Sequence, residues 1–192
     1  MRVLAITPGD YRDLEPWLDA LAEGGVRELL LREPGRTAAE LRPIARFAAR
    51  RFERVWLHAR HPHAEPIARE LGLGLHQRAG EPPPPAPFGV SCHDAEQVRA
   101  ALDAGAEYVL LSPVWRPTSK PEDTRPPLGV EGFLSAAQGR PAFALGGVTP
   151  ARAGLLKLAG AYGVAVLGGF FGLQTPQEAR NAAERLTNAS GF

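Results

Sequence analysis

Short apolar runs alternate along the chain with longer segments whose apolar residues recur at helical spacing, which predicts alternating β-strands and α-helices. The apolar runs predict eight strands, at 3–7, 27–31, 54–58, 73–76, 88–91, 108–112, 141–145 and 162–167. Seven helices are predicted over 14–22, 37–51, 62–71, 94–105 and 130–138 and from 149 and 175 onward. Runs such as Val109-Leu110-Leu111 suit a parallel sheet that is covered on both faces. This alternation produces either a doubly wound sheet or a (β/α)8 barrel.

Eight strands, the number that closes a parallel barrel, favour the TIM-barrel alternative. The chain has 192 residues, whereas such barrels typically have about 250. Four consecutive prolines, 82–85, stand where the helix after the fourth strand is expected, and no helix propagates through them. The sequence therefore predicts a single compact TIM-barrel domain over 1–192, with a Pro-rich loop in place of that helix.

The charge balance bears on the class of partner. Lysine and arginine number 22 and aspartate and glutamate 21, for a formal net charge of +1. Such a balance offers no excess of positive charge with which to bind nucleic acid or an anionic membrane surface. Cys92 is the only cysteine, so no intrachain disulfide can form, and nothing indicates secretion. We expect a cytoplasmic protein that binds a small molecule and neither nucleic acid nor a membrane.

Polar residues stand where the predicted strands end, and in a TIM barrel the loops after the strands build the active site. Three of the five histidines follow strands in this way, at positions 58, 76 and 93. Ser91 ends the fifth strand. Arg32 follows the second, where a guanidinium can hold an anion or carboxylate or can form a structural pair with Glu33.

Paired glycines after the last two strands are the sharpest local pattern. Gly146-Gly147 follows the seventh strand and Gly168-Gly169 the eighth. Barrels frequently bind phosphate between these two loops through backbone amides, although glycines can also serve only to turn the chain. Lys120, beside Ser119 in the long loop after the sixth strand, is either part of a lid that binds an anion or an ordinary surface lysine.

Two other chemistries fit the residues less well. His58, His61 and His63 match no standard zinc spacing, and no aspartate or cysteine accompanies them locally, so no metal site is predicted. Cys92 beside His93 is a conceivable thiol nucleophile, but adjacent strand residues point to opposite faces. We expect Cys92 to be a small buried side chain.

Six short motifs, in this order and spacing, resemble the TenI and thiamine phosphate synthase family over nearly the whole chain. They are Leu31-Arg32-Glu33, Gly89-Val90-Ser91-Cys92-His93, Asp103-Ala104-Gly105-Ala106-Glu107-Tyr108-Val109, Ser112-Pro113-Val114-Trp115 with Ser119-Lys120, Ala144-Leu145-Gly146-Gly147-Val148, and Gly163-Val164-Ala165-Val166. The resemblance implies a (β/α)8 barrel and a homodimer. It also implies thiamine biosynthesis, in which the synthase branch joins a thiazole phosphate to a pyrimidine diphosphate with Mg2+.

Departures from the synthase pattern favour the TenI-like branch. The synthase places an Asn-Asp pair where this chain has His58-Ala59, and its second metal-binding aspartate falls near Ala79. Its lysine after Arg-Glu is Pro34 here. A diphosphate leaving group needs its developing charge neutralised, above all by Mg2+, so full synthase activity is not expected.

The TenI-like branch implies a thiazole tautomerase, which needs only a group that removes and returns a proton. The branch's catalytic histidine aligns with Pro113, so His58 or His76 is the candidate acid–base group. The candidate phosphate-binding residues are Arg32, Ser91, Ser119, Lys120, Gly146, Gly147, Gly168 and Gly169. Two alternatives remain: a non-catalytic regulator that binds thiazole phosphate, and a synthase with a degraded metal site. No cofactor is expected, and Mg2+ only with residual synthase activity.

Overall fold

Eight parallel strands close into a barrel in the computed structural model, which describes residues 1–9, 11–116 and 124–188. Each strand pairs with the next, and β1 pairs with β8 to complete the ring. The strands are β1 (Arg2–Ile6), β2 (Glu28–Leu31), β3 (Arg54–His58), β4 (Gly74–Arg78), β5 (Phe88–Cys92), β6 (Tyr108–Leu111), β7 (Ala142–Leu145) and β8 (Gly163–Val166). The predicted TIM barrel is confirmed.

The helices lie outside the barrel and cover the outer face of its strands. They are α1 (Glu15–Glu23), α2 (Ala38–Ala49), α3 (Ala64–Leu71), α4 (Ala95–Asp103), α5 (Gly129–Ala137), α6 (Pro150–Leu158), α7 (Gly168–Phe171) and α8 (Pro176–Asn188). The sequence did not predict α7, because a four-residue helix that starts with two glycines has no amphipathic period to detect. Among the described helices, none is long and apolar enough to cross a membrane.

Side-chain caps fix where α2 and α6 begin. Thr37 accepts a hydrogen bond from the Glu40 amide, and the Glu40 carboxylate accepts one from the Thr37 amide, which forms a capping box at α2. The Thr149 side chain caps α6 by accepting a hydrogen bond from the Arg152 amide, and Pro150 is the first residue of the helix. These caps satisfy amides that have no partner within the helix, so the loops before α2 and α6 each end at a defined residue.

The connection between β4 and β5 carries no helix over residues 79–87, all of which the structure describes. The strand itself is longer than predicted and runs to Arg78. The buried Gln77 side chain donates to the Glu81 carbonyl at 3.0 Å, and the Arg78 amide donates to the Glu81 carboxylate at 3.0 Å. The Pro-rich loop is therefore confirmed, and its first turn is fixed to the end of β4.

The barrel interior is packed by a separate apolar cluster from alternate strand positions: Leu4, Ile6, Leu30, Trp56, Tyr108, Leu110, Phe143 and Ala165. Two glycines make room for its largest rings. A Cβ atom on Gly74 would lie 2.1 Å from the Trp56 ring, and one on Gly89 would lie 2.1 Å from the Tyr108 ring. Large rings from β3 and β6 thus fill the space beside β4 and β5 and form the floor of the barrel mouth.

Candidate functional site

Alternate residues that point into the barrel continue upward to its mouth. Two positions beyond Leu30 and Trp56 of the interior cluster stand Arg32 and His58, and two beyond Gly89 stands Ser91. His58 lies opposite His76 in the β3–β4 register, and their ring centroids are 6.0 Å apart. The fold therefore brings the predicted residues Arg32, His58, His76 and Ser91 to the same part of the mouth.

His76 is fully buried and both its ring nitrogens are hydrogen bonded. Nδ1 lies 2.9 Å from the Tyr108 hydroxyl and Nε2 lies 2.8 Å from Ser91 Oγ. Burial, and next the nearby His58, lower the pKa of His76 from 6.5 to about 3. The imidazole is consequently neutral at physiological pH, with one nitrogen as donor and the other as acceptor.

The hydroxyl partners indicate which nitrogen carries the proton. Burial raises the pKa of Tyr108 well above 10, so its hydroxyl stays protonated. Among the described residues its one hydrogen-bond partner is His76, so the hydroxyl donates to Nδ1. Nε2–H then donates to Ser91 Oγ, which leaves the serine hydrogen directed to the half-buried mouth. In this assignment His76 orients the hydroxyl of Ser91.

His58 is half-buried at the wall of a cleft of about 300 Å³ at the ends of β2, β3 and β4. Its Nδ1 accepts a hydrogen bond from the Arg60 amide at 3.3 Å. Burial, followed by the charges of Arg32, Arg78 and Arg60, lowers the pKa of His58 to about 4. His58 is therefore a neutral imidazole that faces solvent in a positively charged cleft.

The rest of the cleft is lined by three arginines, by two buried polar residues and by one proline: Arg32, Arg60, Arg78, Glu33, His61 and Pro34. The guanidinium of Arg32 donates to the Pro8 carbonyl at 3.1 Å. Glu33 pairs with Arg36 at 2.9 Å, so the Arg32–Glu33 pair considered from the sequence does not form. His61 is buried with Nε2 2.8 Å from the Arg36 carbonyl. Arg32 thus remains directed to the cleft.

The glycines after β7 have a conformational reason to be glycine. Gly146 and Gly147 have φ of +104° and +62°, and a Cβ on either would approach Trp115 to 2.9 Å. Arg152 of α6 donates to the Gly147 carbonyl at 2.6 Å and stacks on the Trp115 ring. The turn alone explains both glycines, so their phosphate-binding role remains a prediction.

The glycines after β8 lie beside this loop. A Cβ atom on Gly169 would be 3.8 Å from the Val148 carbonyl, whereas one on Gly168 would meet open space. The loops after β7 and β8 are therefore neighbours, as the phosphate prediction requires. Ser119 and Lys120 lie outside the described residues.

The donor set at this mouth does not fit a divalent cation. Mg2+ binds oxygen ligands, chiefly carboxylates. Ala59 and Ala79 follow β3 and β4 and offer no side-chain ligand, and Arg78 ends β4. Within residues 1–9, 11–116 and 124–188, no three histidine, cysteine, aspartate or glutamate side chains are grouped to hold a metal ion.

The sequence did not identify Tyr108, Arg60 or Arg78 as site residues. Tyr108 opens an apolar run and is typical of a core residue, and its contact with His76 crosses from β6 to β4 inside the barrel. Arg78 fell beyond the predicted end of the fourth strand. Gly74, His76 and Arg78 are alternate residues of β4, so their side chains point to the same side of the strand. This alternation is the sequence pattern that could have placed Arg78 at the mouth. Cys92 is buried as predicted, and burial raises the pKa of its thiol to about 12.

Comparisons with known proteins agree with this architecture. A family model described as thiamine monophosphate synthase matches residues 83–170. The thiamine phosphate pyrophosphorylase of Pyrococcus furiosus has the same fold, with a TM-score of 0.82 over 99% of this chain and 95% of that one at 20% identity.

Relatives by sequence include thiamine-phosphate synthases. The one from Salinispora tropica is 43% identical over 83 residues, which cover 42% of this chain and 39% of the relative, so this alignment spans less than half of that protein. The one from Chromobacterium violaceum is 33% identical over 188 residues, which cover 87% of this chain and 86% of the relative. Because this last alignment covers most of both proteins, the chain belongs to the thiamine-phosphate synthase family.

Proposed function

We propose that this protein binds a thiazole phosphate in thiamine biosynthesis and acts as a tautomerase that moves a proton within a thiazole carboxylate phosphate. The observation that carries the proposal is the neutral, half-buried His58 in the mouth, whose ring lies 6.0 Å from that of His76, the residue that bonds to the Ser91 hydroxyl. A tautomer shift needs no leaving group and no metal, only proton removal at one atom and return at another.

In the proposed mechanism His58 takes the proton and returns it. Its pKa of about 4 makes the free imidazole a weak base. Arginine charges contribute to that low value, so an anionic substrate bound against them raises the pKa of His58 and strengthens the base. The Ser91 hydroxyl donates a hydrogen bond to the ring atom that gains electron density, and His76 acts as a positioning residue through Ser91.

The substrate phosphate is proposed to lie at the loops after β7 and β8, on the backbone amides of Gly146, Gly147, Gly168 and Gly169. The adjacency of these two loops supports this placement. Arg152, bonded to the Gly147 carbonyl, adds a positive charge at the same loop. Ser119 and Lys120, which lie outside the described residues, are the other proposed phosphate-binding residues.

Substitution of the two histidines tests the proposal. We expect His58→Ala to lower kcat for tautomer conversion by about a hundredfold, because the proton carrier is removed. His76→Ala and Ser91→Ala should slow it less, by about tenfold, because each removes one positioning hydrogen bond. Conversion is followed by NMR of the thiazole ring with purified full-length protein.

The exposed His63 at the start of α3 is the matched control, and His63→Ala should leave kcat unchanged. If neither His58→Ala nor His76→Ala slows conversion, the tautomerase proposal is wrong. Binding of thiazole phosphate with no turnover by the unaltered protein would instead support the non-catalytic regulator.

A second candidate function is thiamine-phosphate synthesis, favoured by the relative that aligns over 87% of the chain. It predicts release of diphosphate from a pyrimidine diphosphate and a thiazole phosphate, dependent on Mg2+. Ala59 and Ala79 follow β3 and β4 and offer no metal ligand, which argues against an efficient reaction of this kind. The homodimer implied by the family resemblance and the cytoplasmic location expected from the composition remain predictions.

A further inference from the structure

Three guanidinium groups face the cleft at the ends of β2, β3 and β4. They belong to Arg32, Arg60 and Arg78, and all three side chains are exposed. Within the described part of the chain, none of them forms a salt bridge, although ten other ion pairs do form. Like charges at one cleft repel each other, so their convergence has an electrostatic cost that a bound anion removes.

The carboxylates near the cleft do not neutralise it. Glu33 is buried and its Oε2 is paired with Arg36, while Oε1 has no hydrogen-bond partner in the structure. Glu81 accepts a bond from the Arg78 backbone amide, and its charge raises the pKa of His58 less than the arginines lower it. The cleft therefore keeps a positive potential that acts on His58.

We propose that this cleft binds a phosphate-type oxyanion directly through Arg32, Arg60 and Arg78, without a divalent cation. Guanidinium forks match two oxygens of a phosphate group at once, so three of them can surround it with charge-assisted hydrogen bonds. The site is separate from the loops after β7 and β8, and it does not depend on a thiazole being the substrate.

Glu33 gives the site a second feature. Its unpartnered Oε1 lies in a cleft-lining residue that is 2% exposed, so it is a buried acceptor without a donor. Such an atom is satisfied by an N–H or O–H group. The ion-pair partner of Glu33 is Arg36, so Glu33 leaves the three cleft arginines without a carboxylate partner.

Isothermal titration with inorganic diphosphate, in low-salt buffer with EDTA, tests the proposal on the full chain. We expect saturable binding that added Mg2+ does not tighten. Arg60→Ala and Arg78→Ala should each raise Kd by about tenfold, since each removes charge-assisted hydrogen bonds. Parallel titration with inorganic phosphate tells a diphosphate site from a monophosphate site by which anion binds more tightly.

Arg69→Ala, which removes an exposed arginine of α3 outside the cleft, is the matched control and should leave Kd unchanged. Proton NMR provides a second measurement, in which diphosphate raises the pKa of His58 in the unaltered protein and not in the Arg60→Ala/Arg78→Ala protein. Binding that disappears in EDTA, or a Kd that both arginine variants leave unchanged, would overturn the proposal. Neither result depends on tautomer turnover.

Discussion

Replacing Gly89 with alanine is expected to lower the free energy of unfolding by about 3 kcal/mol or more. The added Cβ would lie 2.1 Å from Cε1 and 2.3 Å from Cζ of Tyr108, closer than any real contact. The tyrosine ring cannot move away freely, because it packs against Trp56 at 4.7 Å and Phe143 at 5.6 Å between centroids. A shifted ring also loses the bond to His76, which leaves a buried polar group without a partner.

Urea unfolding of the purified variant measures this effect. Gly154→Ala is the matched control, because Gly154 lies inside α6 with open space at its Cβ position. That change should be neutral or raise stability by roughly 0.5–1 kcal/mol. A second substitution, Tyr108→Leu, removes the ring and should recover part of the loss in the Gly89→Ala background. A Gly89→Ala protein as stable as the unaltered chain would contradict the interior packing described above.

The barrel could be predicted from the sequence because its signal is local. Eight apolar runs, each bounded by turns, predict the number of strands. The prolines at 82–85 indicate that the helix after the fourth strand is absent. The pairing partners followed from topology, since successive parallel strands in a barrel are neighbours. The end of β4 was misplaced because Gln77 and Arg78 are polar, and their place in the strand depends on pairing with β5.

The candidate site could be predicted only in part. Strand ends pointed to His58, His76, Ser91 and Arg32, which do converge at one mouth. The sequence did not distinguish the two histidines, whereas the structure makes one a half-buried cleft residue and the other a fully buried one. That difference arises from Tyr108, whose ring and hydroxyl enclose His76 from the other side of the barrel. Contacts across a barrel depend both on strand register and on the sizes of the facing rings. Neither can be predicted from the sequence of a single strand.

Acid is expected to destabilise this protein through His76. Its pKa is about 3 in the folded chain and near 6.5 in the unfolded chain. As the pH falls below 6.5, His76 binds a proton in the unfolded state but stays neutral in the folded state. The free energy of unfolding present above pH 6.5 is therefore lost progressively toward pH 3. Between pH 6.5 and pH 4 this residue alone should account for about 3 kcal/mol.

Comparison of variants separates His76 from the carboxylates, which also titrate in this range. Urea unfolding at pH 7 and at pH 4 should show that His76→Gln, although less stable at pH 7, loses about 3 kcal/mol less on acidification than the unaltered protein. His63→Gln, which changes an exposed histidine, should keep the original pH dependence. Because both ring nitrogens of His76 are occupied by uncharged hydroxyls, no nearby anion compensates its protonation. An NMR titration in which His76 ionises near pH 6.5 would show that the buried Tyr108–His76–Ser91 arrangement does not form in solution.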